Sequence, residues 1–207
     1  TATTLTPADY AAAGIRGVTA DNQVAVNQAI LAANTGEADQ VSEIQSLVNT
    51  GIQAQLDALA LISDYADPLV VGTRVAVGDV STKAVQTINP GTLEAGKGYT
   101  LHVGNVTLES GALDSDPTLT ELIAAFTGLG PVYDLAPFKV AEDSGLIKIE
   151  FKNFGERTVL GELHSARPTL ADFVKAGVTG LTTQQLYAAI DRVEQKAPDQ
   201  VDGLSEL

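Results

Sequence analysis

Apolar residues recur at three- and four-residue steps through the first third of the chain: Val41, Ile44, Val48, Ile52, Leu56, Leu59 and Ile62. That period places them on one stripe of a helix beginning near Glu37. It stops at Asp67-Pro68, since the residue before a proline is disfavoured in the helical region. Gly51 interrupts the stripe at a cost of about 1 kcal/mol relative to alanine, marking a kink or a close helix contact. Two shorter helices precede it. Thr6-Pro7-Ala8-Asp9 supplies an N-cap, a proline at the first helical position and an acid at the third. Gly14 supplies a left-handed stop and Gly17 a second bend. Thr19 caps the next helix, whose apolar face is Val24, Ala25, Ile30 and Leu31, and Asn34-Thr35-Gly36 ends it.

Beyond residue 67 the composition changes to runs rich in Val and Thr. Val70 to Val77 and Val80 to Ile88 read as strands broken by Gly78-Asp79, and Asn89-Pro90-Gly91 as a turn. Tyr99 to Val103 and Val106 to Leu108 flank Gly104-Asn105, a tight-turn dipeptide. Asp116-Pro117-Thr118 opens a helix, with Asp116 as its expected cap, and Leu119, Leu122, Ile123 and Phe126 form one face. Phe138 to Ala141 and Leu146 to Phe151 form a hairpin across Glu142-Asp143-Ser144-Gly145. Ile147, Ile149 and Phe151 alternate there with Lys148, Glu150 and Lys152, giving one buried and one wet face. Thr158 to Leu163 adds an edge strand. The expectation is a ββαββ insert in an α+β chain.

The helical pattern then returns. Ala8-Asp9-Tyr10-Ala11-Ala12-Ala13-Gly14-Ile15-Arg16-Gly17-Val18-Thr19 reappears as Ala171-Asp172-Phe173-Val174-Lys175-Ala176-Gly177-Val178-Thr179-Gly180-Leu181-Thr182. Thr169 repeats the cap, Thr182-Thr183-Gln184-Gln185 reads as a capping box, and Leu186, Ile190 and Val193 form the helix stripe. Asp199-Gln200-Val201, Leu204 and Leu207 echo Asp39-Gln40-Val41, Ile44 and Leu47. This third helix is cut short, so the second copy is expected to belong to a longer chain or to borrow a helix. The lender would be the insert, the first copy or a neighbouring molecule. The organisation expected is a helical bundle module over residues 1–67, a β-rich insert over 68–166 and a second, partial helical module over 167–207.

Composition narrows the function classes. A net charge of −14, from 26 acidic and 12 basic residues, repels phosphate backbones and argues against nucleic acid as a partner. The absence of Cys excludes a disulfide framework, thiolate metal ligands and a cysteine nucleophile. The absence of Met and Cys together suits a chain exposed to oxidants, and a first residue of Thr suggests a processed chain or an excised segment. No segment approaches the roughly 20 apolar residues of a membrane span.

Candidate chemistry is sparse. His102 and His164 are the two histidines; His102 is expected to face solvent or a strand neighbour, and His164 to sit at a strand end beside Ser165. Neither belongs to a nucleophile motif such as G-x-S-x-G. Asp114-Ser115-Asp116 and Glu142-Asp143-Ser144-Gly145 are acidic loops without the spacing or distal glutamate of a calcium loop. Asn105-Val106-Thr107 matches a glycosylation sequon. Gly14, Gly17, Gly177 and Gly180 lack the Lys-Ser/Thr that follows a phosphate loop, and serve helix ends. No catalytic, cofactor-binding or metal-binding residue is expected, nor any cofactor, and the chain is not expected to be an enzyme.

Certain residues carry a resemblance: Ala8-Asp9-Tyr10, Ala13-Gly14-Ile15, Gly17-Val18-Thr19, Asn22, Val26-Asn27, Glu43-Ile44-Gln45 and Asp64-Tyr65-Ala66. Together they resemble a helical repeat of very large bacterial secreted and cell-surface proteins of the adhesin-like, biofilm-associated kind. The insert is similar to small ββαββ modules of such surface proteins and of some phage tail proteins. The resemblance implies an extracellular, cell-surface scaffold or adhesion role. Its partners would be neighbouring modules, copies of itself or a host or surface ligand. The alternative expectation is a self-assembling filament, sheath or phage-tail-like subunit.

Overall fold

The computed structural model describes residues 4–33, 36, 38–194, 196 and 200. In chain order these form α1 (Pro7–Ala12), α2 (Gln23–Ala32) and α3 (Val41–Ala66), then β1 (Val70–Val71), β2 (Thr73–Ala76), β3 (Lys83–Ile88), β4 (Gly98–Val103) and β5 (Val106–Ala112). There follow α4 (Leu119–Thr127), α5 (Pro131–Leu135), β6 (Phe138–Asp143), β7 (Leu146–Phe154), β8 (Gly161–Ser165), α6 (Leu170–Lys175) and α7 (Thr183–Glu194). The class is α+β. The chain divides into two compact units, Thr1–Ala66 with Pro168–Leu207, and Asp67–Arg167. The two helical stretches thus share one unit rather than forming two modules.

In the helical unit the duplicated sequence makes duplicated geometry. Thr6 and Asp9 form a reciprocal capping box at the start of α1, and Thr169 and Asp172 form the same box at α6. Each helix ends in a Schellman turn. Ile15 N donates to Tyr10 O at 2.9 Å and Val178 N to Phe173 O at 2.9 Å, with Gly14 at φ 80° and Gly177 at φ 102°. Thr19 and Thr182 each receive a side-chain oxygen at their own N–H, from Asn22 and Gln185. Thr19 caps a preceding turn rather than α2 itself, whose N-cap is Asn22.

A single helix of the first copy, α3, packs against both copies of the motif. Val48, on the N-terminal half of α3, packs with Tyr10, Ile15 and Val26. Ala58, Leu59, Ile62, Tyr65 and Ala66, on its C-terminal half, pack with Phe173, Ala176, Ile190 and Val193. One helix therefore completes both copies. Its buried line runs through Val48, Gly51, Gln55, Ala58, Ile62 and Tyr65. The apolar period misplaced that line: Val41 and Leu56 lie on the exposed side. Gly51 marks a close helix contact. A Cβ there would stand 2.9 Å from Val26 Cα and 3.0 Å from Ala25 O. The expected start of this helix at Glu37, the Asn34-Thr35 break, and the echo at Asp199, Val201, Leu204 and Leu207 lie outside the described residues.

The second unit holds two antiparallel sheets, ordered β1-β8-β4-β5 and β2-β3-β7-β6. Their inner faces share one core that includes Ile88, Leu101, Leu108, Phe126, Phe138, Ile149 and Leu163. It is richer than the ββαββ pattern read from sequence, and it differs from that reading at three places. The Val70–Val77 run is split at Gly72, so β1 joins one sheet and β2 the other. A Cβ at Gly72 would sit 3.0 Å from Gly161 O, whose carbonyl accepts from Gly72 N at 2.7 Å. The expected edge strand is β8, which lies inside its sheet between β1 and β4. The helix after Asp116 is capped by Thr118, not Asp116, the Thr118 hydroxyl accepting from Glu121 N at 3.1 Å.

Candidate functional site

Alternation along β4 sends Leu101 and Val103 into the core and leaves Thr100 and His102 on the opposite face. β8 likewise buries Leu163 in the core and puts Glu162 and His164 on that same opposite face. Antiparallel register sets His102 across from Glu162 and Thr100 across from His164. The two histidines, far apart in sequence, are thereby brought together: their ring centroids are 4.9 Å apart, edge to face.

Each ring is further held from the side. His102 Nδ1 stands 3.2 Å from Thr107 Oγ1, on the neighbouring β5. His164 Nε2 stands 3.5 Å from Glu162 Oε2, and His164 is only 4% exposed. The expectation that His102 meets a strand neighbour fits this geometry. His164 is the penultimate residue of β8, beside Ser165 as expected, and its ring is buried. These contacts with a neighbouring hydroxyl and carboxylate orient the two rings.

Groups of both acidic loops take part in hydrogen bonds with α4. Asp114 N donates to Glu121 Oε1 at 2.8 Å, and Thr120 Oγ1 to Glu142 Oε2 at 2.8 Å. Ser144 and Gly145, at φ 56° and 80°, form the turn of the β6–β7 hairpin. Among the described residues, no three His, Asp or Glu side chains converge as a metal site. Asn105 is exposed in the β4–β5 turn. Asp79 accepts from Ser81 N, Ser81 Oγ and Thr82 N at 2.7, 2.9 and 2.7 Å, and these bonds hold its carboxyl below the usual aspartate range.

Two buried glutamines were invisible to pattern reading. Gln55 Nε2 donates to Asp21 O at 2.8 Å and to Ala176 O at 2.9 Å, tying one motif copy to the other. Gln86, 1% exposed, donates from Nε2 to Val159 O at 2.6 Å and accepts from Gly161 N at 2.7 Å. It fixes the chain where it passes from one sheet towards β8. The one legible hint was negative: Gln86 falls on the strand position between Ala84 and Ile88, where alternation calls for an apolar residue.

No family model, curated protein or solved structure matches this chain. No helix among the described residues is long and apolar enough to cross a membrane.

Proposed function

We propose that the chain is a non-enzymatic module of an extracellular bacterial surface protein, extending or presenting a larger array. The observation that carries this reading is the shared α3, whose two halves complete two copies of one capped-helix motif. Architectures in which each unit is finished by its neighbour are how repeat arrays propagate. The polar side chains described above also serve as caps, clamps and turn anchors, consistent with a load-transmitting scaffold. The adhesin-like resemblance supplies the extracellular setting. Antibodies raised against the folded chain should label intact producing bacteria. Labelling that appears only after lysis would remove the reading.

Self-assembly is the second reading, favoured by β2, an edge strand on which Val75 is 63% exposed. Light scattering decides it: a mass equal to one chain at every concentration excludes a self-assembling subunit.

A further inference from the structure

The passage from β7 to β8, residues 155–160, has no regular secondary structure, yet it is pinned throughout. Gly155 N donates to Asp79 O at 2.8 Å and Arg157 N to Val77 O at 3.0 Å. Arg74 Nη2 donates to Thr158 O at 2.8 Å, and Gln86 holds Val159 O. Between this segment and the β4–β5 turn lies a groove of about 520 Å³, within the size range of small-molecule sites.

The groove has an apolar floor, to which Val106, Phe151 and Val159 contribute, and polar groups at Asn105, Arg157 and Thr158. The Arg157 guanidinium lies 5.7 Å from the centroid of the Phe151 ring. Among the described residues its one side-chain hydrogen bond is from Nη1 to Glu156 O, at 3.3 Å. Among the described residues it forms no ion pair, although the chain carries 26 acidic side chains. A guanidinium offers five donors in a fixed fork, so most of them have no acceptor among the described residues. The exposed Asn105 amide and Thr158 hydroxyl make no hydrogen bond with any described residue.

We propose that this groove binds a small organic acid, a single carboxylate joined to an apolar body. Arg157 takes the carboxylate in a bidentate pair, Asn105 and Thr158 orient it, and the body lies against Val106 and Val159. One cation in a chain of net charge −14 suits a monoanion better than a phosphate dianion. Glu156, also lining the groove, sets the upper limit on affinity by repulsion. Because the segment is already pinned, binding costs little ordering. The site goes beyond the surface-module reading and does not depend on it.

The test is a ¹H–¹⁵N titration of the whole chain with phenylacetate, phenylacetamide, acetate and inorganic phosphate. Phenylacetate should move the amides of Asn105, Arg157 and Thr158, and should bind about tenfold or more tightly than the neutral amide, the value of a charge-assisted pair. Acetate and phosphate should be weaker than phenylacetate. Arg157→Gln should remove the response, Arg157→Lys should weaken it, and Glu156→Gln should strengthen it. Asn105→Ala and Thr158→Val change exposed side chains and should each weaken binding several-fold, keeping the test valid if Arg157→Gln unfolds. No shift at the groove, equal binding of phenylacetamide, or unchanged affinity in Arg157→Gln or in both exposed-site variants overturns the proposal.

Discussion

The Tyr10 hydroxyl donates to Asn27 Oδ1 over 2.6 Å, tying α1 to α2. In the second copy the positions of Tyr10 and Asn27 are taken by Phe173 and Ile190, both buried in the same core cluster. The hydroxyl and its acceptor are present together in one copy and absent together in the other. A buried donor without an acceptor costs more than replacing both partners. Tyr10→Phe alone should cost about 1 kcal/mol. Asn27→Ile should cost more, since Asn27 Nδ2 also donates to Leu5 O at 3.0 Å. The double variant, copying Phe173 and Ile190, should be less destabilised than the sum of the two. Urea midpoints for the four proteins measure that coupling.

Gln55 holds a carbonyl from each motif copy with one amide nitrogen. Gln55→Leu fills the space but leaves the Ala176 carbonyl unpaired, and should lower stability by about 1–3 kcal/mol. Gln55→Glu places a carboxylate against two carbonyl oxygens. It should be the worse variant at neutral pH and should partly recover as acid protonates the new group. Chemical denaturation of both variants at two pH values separates the cases.

Gly51 lies in close contact with α2, and the nearest atoms to an added Cβ are backbone. Alanine gains about 1 kcal/mol of helix propensity, yet overpacking a tight contact costs about 1–3 kcal/mol. Gly51→Ala should therefore be neutral to destabilising and Gly51→Val clearly destabilising. A thermal midpoint higher for Gly51→Val than for the parent chain would contradict the close contact.

Acid should loosen the start of α1. The Thr6 hydroxyl, and after it the Thr6 N–H, donate to Asp9 and hold its carboxyl below the usual aspartate range. A carboxyl with a depressed folded value contributes fully above the unfolded value, about 3.9. That contribution is lost as pH falls through the lower folded value. A carboxyl-carbon NMR titration should show Asp9 titrating below a free aspartate, and Thr6→Val should move it back towards one.

Local signals carried most of the helical architecture into the sequence. Thr6, Asp9, Gly14 and their copies act within a few residues of each other, so composition and spacing reveal them. The role of α3 was less legible. Its apolar period describes one stripe, but two partners on its two halves shift the buried line to include Gly51 and Gln55, and Leu56 falls outside it. The His102–His164 contact and the Gln86 clamp depend on strand order, which no local period encodes. Asp116 is the cap expected from sequence, whereas Thr118 stands at the helix start and takes that role.

The shared helix also fixes an order of events during synthesis. When α3 leaves the ribosome, its N-terminal half already has Tyr10, Ile15 and Val26 to cover it. Its C-terminal half must wait: the bond from Tyr65 to Glu194 joins residues 129 positions apart. Over that interval Ile62 and Tyr65 have no native cover from the later helices, and closing so long a loop is slow. The β unit shortens the search, because β1 and β8 pair antiparallel with Val70 against Leu163. Once they pair, the chain enters and leaves that unit side by side, and α6 and α7 are returned near the helix they complete.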